Sequence, residues 1–181
     1  MATKKTLDPV AFLQEIEDLC RSSAIGMPRK AGNSAEWSGI TFRIGDNHLV
    51  SQLGEVVEIL EYPDLSNVPL ARPWVRGIAN VRGNLLPVVD MNGFLNGNAA
   101  TITPRTRVLV VDHKGMYTGL IVDEVLGLKH FTDDEYTGDL PEMDEAFEPY
   151  IQNGFRRDDR VWSIFSMHAM AETPQFLQAA V

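Results

Sequence analysis

The chain has 181 residues, 44% hydrophobic and 23% charged, the proportions of a folded globular protein and not of a disordered one. Its 25 acidic residues outnumber the 16 basic ones for a formal charge of −9, which repels phosphate backbones and argues against nucleic-acid binding. A single cysteine, Cys20, leaves no internal disulfide and no Cys-based zinc cage. The stretch Met1–Lys5 leads into charged residues without an apolar signal core, and no apolar run approaches the roughly 20 residues of a spanning helix. A cytoplasmic protein with no direct membrane insertion is expected.

In chain order, the first element reads as a helix. Asp8 caps it, Pro9 suits its first turn, and Val10, Phe12, Leu13, Ile16, Leu19 and Cys20 recur at helical spacing. Gly26 and Pro28 end it, and residues 26–36 read as a linker because they offer nothing to pack. From Ser38 onward short β-rich runs alternate with turn residues. They cover Ile40–Ile44, His48–Leu53, Val56–Leu60, Trp74–Val81, Leu85–Val89, Val108–Val111, Met116–Val122, Val125–Leu128, Ile151–Arg156 and Val161–Phe165. That makes about ten strands, spaced as in antiparallel barrels or sandwiches and not as βαβ units. Asp90 is placed to cap a short helix over Met91–Leu95, and Ser166 another over Met167–Glu172. Thr173-Pro174 restarts a last amphipathic turn through Phe176 and Leu177. The expected organisation is a helix and linker over 1–36, a β domain over 37–172 and a short helix over 173–181.

The β region carries a faint repeat. Glu55-Val56-x-x-Ile59 recurs as Glu124-Val125-x-x-Leu128, Gly77 precedes the capping Asp90 much as Gly154 precedes the capping Ser166, and Trp74 and Tyr150 each stand beside a proline ahead of those glycines. Taken at face value, the repeat means two small β-barrels side by side with a cleft where they meet.

Catalytic motifs are absent: no phosphate loop, no nucleophile elbow, no His-Glu-x-x-His. The best acid cluster is Asp112-His113 with Asp123-Glu124, across one predicted hairpin, and it leaves open a small metal-binding or hydrolytic β-barrel protein. Against this, acids at turns are common for backbone reasons. The stretch Leu65–Val89 is more informative, since it holds no acid yet carries Arg72, Arg76 and Arg82. Arg82, in a hairpin turn before Gly83, is either a solvated turn residue or a planar, forked anchor for a partner's carboxylate or carbonyl. Alternation along Val56-Val57-Glu58-Ile59-Leu60 sends Val57 and Ile59 to one face and Val56, Glu58 and Leu60 to the other. One set fills a core; the second packs internally or serves as a binding surface.

The run Gly77-Ile78-Ala79-Asn80-Val81-Arg82-Gly83-Asn84-Leu85-Leu86-Pro87-Val88-Val89-Asp90 resembles the central signature of the CheW family, with Val81 in place of the usual leucine. Glu55–Ile59 resembles that family's V-x-E-V/I strand, and Gly119–Val125 its G-x-x-V-D-x-V strand. Together these cover about residues 38–172. The N-terminal extension, Trp37–Ile40, Trp74–Gly77 and Gly93–Leu95 are most similar to the family's type IV pilus (twitching motility) adaptors.

The resemblance implies a mostly β fold of two five-stranded, SH3-like barrels and a non-catalytic adaptor with no cofactor. It implies coupling of a methyl-accepting chemoreceptor's cytoplasmic tip (PilJ-like) to the regulatory domain of a CheA-like histidine kinase (ChpA-like), in an array at the membrane. A flagellar chemotaxis adaptor is the alternative within the family. The resemblance also places partner contacts on Val56, Glu58 and Arg82, with Val125 and Leu128 lining the second barrel's share of a groove that takes the receptor tip; Val81, next to Arg82, is expected to add apolar area to the same contact.

Overall fold

The structure, a computed structural model, describes residues 37–178. The expected N-terminal helix with Cys20 and the linker to Glu36 lie outside the described residues. Eleven strands form two sheets. In the first part of the chain these are β1 (Trp37–Ile44), β2 (Asn47–Gln52), β3 (Glu58–Glu61), β4 (Val75–Val81) and β5 (Asn84–Asp90), followed by helix α1 (Met91–Asn96). Then come β6 (Arg107–His113), β7 (Met116–Val122), β8 (Glu124–Phe131), the two-residue β9 (Tyr136–Thr137), β10 (Ile151–Arg157) and β11 (Arg160–Phe165). Short helices α2 (Met167–Ala171) and α3 (Pro174–Leu177) end the described chain.

The six-stranded sheet runs β8-β1-β2-β11-β10-β9 and the five-stranded one β3-β6-β7-β5-β4. All neighbours are antiparallel except β2/β11 and β5/β7. Numbering each half of the repeat from its own first strand, both sheets read 3-1-2-5-4, with β9 added at one edge. The hairpin in the middle of each sheet, however, comes from the other half: β1–β2 sits among β8, β10 and β11, and β6–β7 among β3, β4 and β5. The repeat is therefore structural, but neither half of the sequence makes a barrel by itself.

Matching details follow the same symmetry. Asp90 N–H donates to the Trp74 carbonyl at 2.8 Å, and Ser166 N–H to the Tyr150 carbonyl at 2.9 Å. The two caps then accept from the third residue onward, Asp90 from Gly93 N–H and Ser166 from Ala169 N–H, as helix N-caps do. The register of each hairpin slips once, near Gly77 in β4 and near Gly154 in β10. Gly77 needs to be glycine: its φ is +147°, and a Cβ there would lie 2.5 Å from the Ser66 carbonyl oxygen.

One hydrophobic cluster joins the two sheets. Phe42, Leu49 and Phe165 from one, and Val89, Leu109 and Leu120 from the other, bury together with Trp74, Phe94, Phe147, Met167 and Met170. Phe176 of α3 stacks on Trp74 at 5.9 Å, tying the last helix into this core. Each barrel keeps a smaller interior of its own, around Leu86, Val108 and Ile121 in one and around Val50, Phe131 and Trp162 in the other. Full burial of a large apolar side chain contributes about 1.5–3 kcal/mol, so the shared cluster binds the barrels strongly. The cleft expected where they meet is filled by the chain's own side chains.

Candidate partner-binding site

Arg82 occupies the first central position of the two-residue turn between β4 and β5, Val81 pairing with Asn84 across it. Both turn residues take positive φ, +51° at Arg82 and +86° at Gly83, the pattern of a type I′ hairpin turn. Asparagine or glycine takes that first position at least cost, and an arginine there carries about 1 kcal/mol of backbone strain. Asn80 steadies the turn by accepting from Gly83 N–H at 2.9 Å. The side chain of Arg82 is 77% exposed, yet its guanidinium donates to Glu58 of β3 from both terminal nitrogens, at 2.6 and 3.3 Å. Since β3 and β4 are opposite edges of the five-stranded sheet, this pair closes the sheet on itself. In the other sheet Arg157 of β10 does the same work, donating to the His130 carbonyl of β8 at 2.7 Å and pairing with Glu135. That ion pair pulls the Glu135 carboxyl down to about 2, chiefly through the Arg157 hydrogen bond.

On β3, adjacent in sequence to Glu58, lies an apolar face. Val57 and Ile59 point outward, 60% and 40% exposed, while Val56 packs on the shared core and Leu60 on the interior of its own barrel. The alternation of the strand is as expected; its exposed apolar members are Val57 and Ile59, the pair without the carboxylate. Val81 is half-buried against the same interior as Leu60. The face recurs on β8, the matching edge of the other sheet: Val125 packs on the shared core, and Leu126 and Leu128 are 39% and 48% exposed. Of the six residues expected to touch partners, Glu58 and Arg82 are in contact with each other, Val56 and Val125 are half-buried against the shared core, Val81 is half-buried against its own barrel's interior, and Leu128 lies exposed on the second edge. Val57, Ile59 and Leu126 complete the exposed surface. The repeat itself is the signal that finds them, because Val57 and Ile59 align with Leu126 and Leu128.

The alternative acid cluster is dispersed. Asp112 sits near the tip of the β6–β7 hairpin and Asp123 just beyond its open end, six residues along β7 and so about 20 Å apart. Asp123 accepts from Gly45 N–H at 2.7 Å and pairs with Arg43; Glu124 lies near Arg43 and Arg105. His113 instead meets Glu172 at 2.8 Å, and that carboxyl, with Lys114 as its stronger partner, is held down to about 2. No group of three or more His, Cys, Asp or Glu side chains among the described residues could hold a metal ion. No helix among the described residues is long and apolar enough to cross a membrane.

A profile of the CheW-like domain matches residues 38–175. The chain belongs to the CheW-like family. Within that family it is 42% identical over 173 residues to the protein PilI of Pseudomonas aeruginosa, covering 96% of this chain and 97% of that one. It is 31% identical to the chemotaxis protein CheW of Rhizobium meliloti, over 64% of this chain and 74% of the relative. The CheW-like fold is confirmed by the crystal structure of the scaffolding protein TtCheW from Thermoanaerobacter tengcongensis, which superimposes with a TM-score of 0.66 at 20% identity, over 78% of this chain and 96% of that one. The expected mostly β, two-barrel architecture stands, with eleven strands where ten were read.

Proposed function

We propose that this CheW-like chain couples the helical cytoplasmic tip of a PilJ-like chemoreceptor to the regulatory domain of a ChpA-like histidine kinase in a type IV pilus system, and catalyses nothing itself. The observation that carries the reading is the exposed guanidinium of Arg82, kept on strained backbone and locked on Glu58 beside outward-facing Val57 and Ile59. A rigid fork next to exposed apolar area suits protein recognition: the apolar side chains supply area, and the charged pair fixes register and rejects wrong partners. An adaptor needs two such faces, and the β8 edge with Leu126 and Leu128 offers the second. A helical tip docks by its apolar stripe, so the shallow β3 or β8 face, and not a cleft between barrels, is its seat.

The pilus pathway is favoured over the flagellar one because the likeness to PilI extends well beyond the domain into the residues before 38. Coupling requires contacts that differ between the kinase's two states, typically worth about 1–3 kcal/mol. Kinase autophosphorylation measured with the receptor's cytoplasmic fragment tests this directly. The rate should respond to the receptor only when this chain is present. A receptor response of equal size without the chain would refute the reading.

A further inference from the structure

The six-stranded barrel carries a cavity at one of its ends. Trp37 begins β1, Gln52 ends β2, Gln152 lies at the start of β10 and Phe165 ends β11, and the strand directions of that sheet bring all four to the same end. Between them is a space of about 270 Å³. The matching end of the other barrel takes Tyr62 and Leu65 of the β3–β4 connection into its interior. Here the corresponding connection, from β8 to β10, contributes Asp133 and Tyr136 to the lining, and Tyr136 stays 52% exposed.

The lining is mixed, part aromatic and part polar. Phe155 is central to the aromatic part: the Trp37 ring lies 5.0 Å from it, tilted by 39°, and the Tyr136 ring meets it edge to face at 5.7 Å. The polar part holds two carboxylates, Glu55 and Asp133, and two amides, Gln52 and Gln152; no lysine, arginine or histidine lines the cavity. Glu55 is fixed in place. Its Oε2 accepts from Ser51 Oγ at 2.6 Å and from Met167 N–H at 2.9 Å, and its Oε1 from Ser166 Oγ at 3.2 Å. Among the described residues its ionisable neighbour is His168, with Nδ1 3.6 Å away, which is no permanent cation. Asp133 pairs with no basic side chain among the described residues, and the two amides meet no hydrogen-bond partner there. The surroundings deepen the negative potential, since residues 132–148 carry eight acids and no basic residue.

We propose that this barrel mouth binds a small organic ammonium ion, with its alkyl groups against Trp37, Tyr136 and Phe155 and its charge toward Asp133 and Glu55. Aromatic faces attract such cations and accept their weakly hydrated alkyl groups, while the carboxylates supply the counter-charge. The Gln52 and Gln152 carbonyl oxygens can accept from any N–H or O–H the ion carries. A metal ion fits less well, because no three His, Cys, Asp or Glu side chains converge here. An anion is repelled, and a neutral polyol leaves Asp133 uncompensated. Barrel mouths are a common place for small-molecule sites, and 270 Å³ lies just under the usual range of about 300–1,000 Å³, which limits the occupant to a compact ion. The site stands apart from the receptor and kinase recognition proposed for the β3 and β8 faces, so either can fail without the other.

Choline is the probe, and 3,3-dimethyl-1-butanol, its uncharged isostere, the control. Calorimetric titration of the full chain should give saturable choline binding with a dissociation constant of about 1 mM or lower, weakening as salt rises. The isostere should bind at least tenfold more weakly, because it keeps the shape and loses the charge. Asp133→Asn and Tyr136→Ala, both at exposed positions, should each weaken choline binding at least fivefold while the melting temperature stays within a few degrees of wild type. NMR supplies a readout that needs no variant to bind. Of the three indole N–H resonances, that of Trp37, identified by its loss in Trp37→Phe, should move further on choline addition than those of the buried Trp74 and Trp162. Absence of saturable binding, equal binding of the isostere, variants that bind like wild type, or a Trp37 resonance that stays still would each overturn the proposal.

Discussion

Replacing Arg82 by asparagine separates a structural role of that residue from a recognition role. Two opposing changes in stability can be read off the structure. The turn requires φ of +51° at this position, and asparagine relieves most of the roughly 1 kcal/mol that arginine carries there. The variant also loses the bidentate pair with Glu58, but with the arginine side chain 77% exposed such a pair contributes only about 0.2–1 kcal/mol. The net change should lie within about 1 kcal/mol, detectable by urea denaturation as a small shift of midpoint with unchanged slope. Binding should behave differently. An arginine anchor at an interface typically costs about 2 kcal/mol or more when removed, close to 30-fold in affinity. Calorimetric titration against the kinase regulatory domain and against the receptor fragment should show that loss for at least one of them. If affinity for both stays at the wild-type value while the fold is intact, the site is elsewhere. If instead stability falls by more than about 2 kcal/mol, the fold depends on the Arg82–Glu58 pair, Arg82 is chiefly a structural residue and the recognition argument fails.

Other expectations are more local. Gly77→Ala should destabilise by about 3 kcal/mol or fail to fold, because the new methyl meets the Ser66 carbonyl at 2.5 Å on backbone that only glycine adopts readily; a melting temperature within a few degrees of wild type would contradict this. Asp90→Ala should cost about 3 kcal/mol by denaturation, since the buried carboxylate accepts from Gly93 and Ala100 N–H and both donors would be orphaned. Glu135→Gln should cost about 1 kcal/mol at neutral pH. The folded carboxyl titrates near 2 against 4.5 unfolded, so that contribution is complete above about pH 4.5 and is lost as pH falls toward 2. The stability curves of wild type and variant should therefore converge over that window; a gap constant with pH would show that the ion pair with Arg157 is not its source.

How much of this was legible beforehand varies with the range of the interaction. The ten strands, the caps at Asp90 and Ser166 and the hairpin turn at Arg82 are written in local patterns of period two, capping residues and turn residues, and all are found where they were read. Strand β9 escaped because it is two residues, Tyr136–Thr137, in an acidic stretch with no alternation to read. The outward face of β3 could not be chosen either, because four of the five residues Val56–Leu60 are apolar and either set could fill a core. The choice is made by long-range packing, with Val56 on the shared core and Leu60 on the barrel interior. Asp112 and Asp123 looked adjacent only because a hairpin joins them; the register of that hairpin puts them at opposite ends.

The exchange of hairpins between the halves is the least legible feature and has the largest energetic consequence. Each sheet has at its centre two strands supplied by the other half, and the strands on either side have few other neighbours to pair with. Without β6–β7, strand β3 loses its pairing and β5 its parallel neighbour; without β8 and β11, the β1–β2 hairpin is an isolated two-stranded ribbon, marginal in water. Phe42, Leu49, Leu109 and Leu120, all essentially inaccessible in the intact chain, would lose partners from the other half. At about 1.5–3 kcal/mol each, those four alone account for roughly 6–12 kcal/mol, comparable with the whole stability of a domain this size. Cutting the exposed connection between Thr101 and Ile102 should therefore yield two fragments, 1–101 and 102–181, neither of which unfolds cooperatively alone. Mixed in equal amounts they should recover the strand signal and a single cooperative transition, at a midpoint that rises with concentration. A cooperative transition in either isolated fragment would mean that half the sequence can make a barrel unaided, and the exchanged topology would no longer explain why the two barrels share one core.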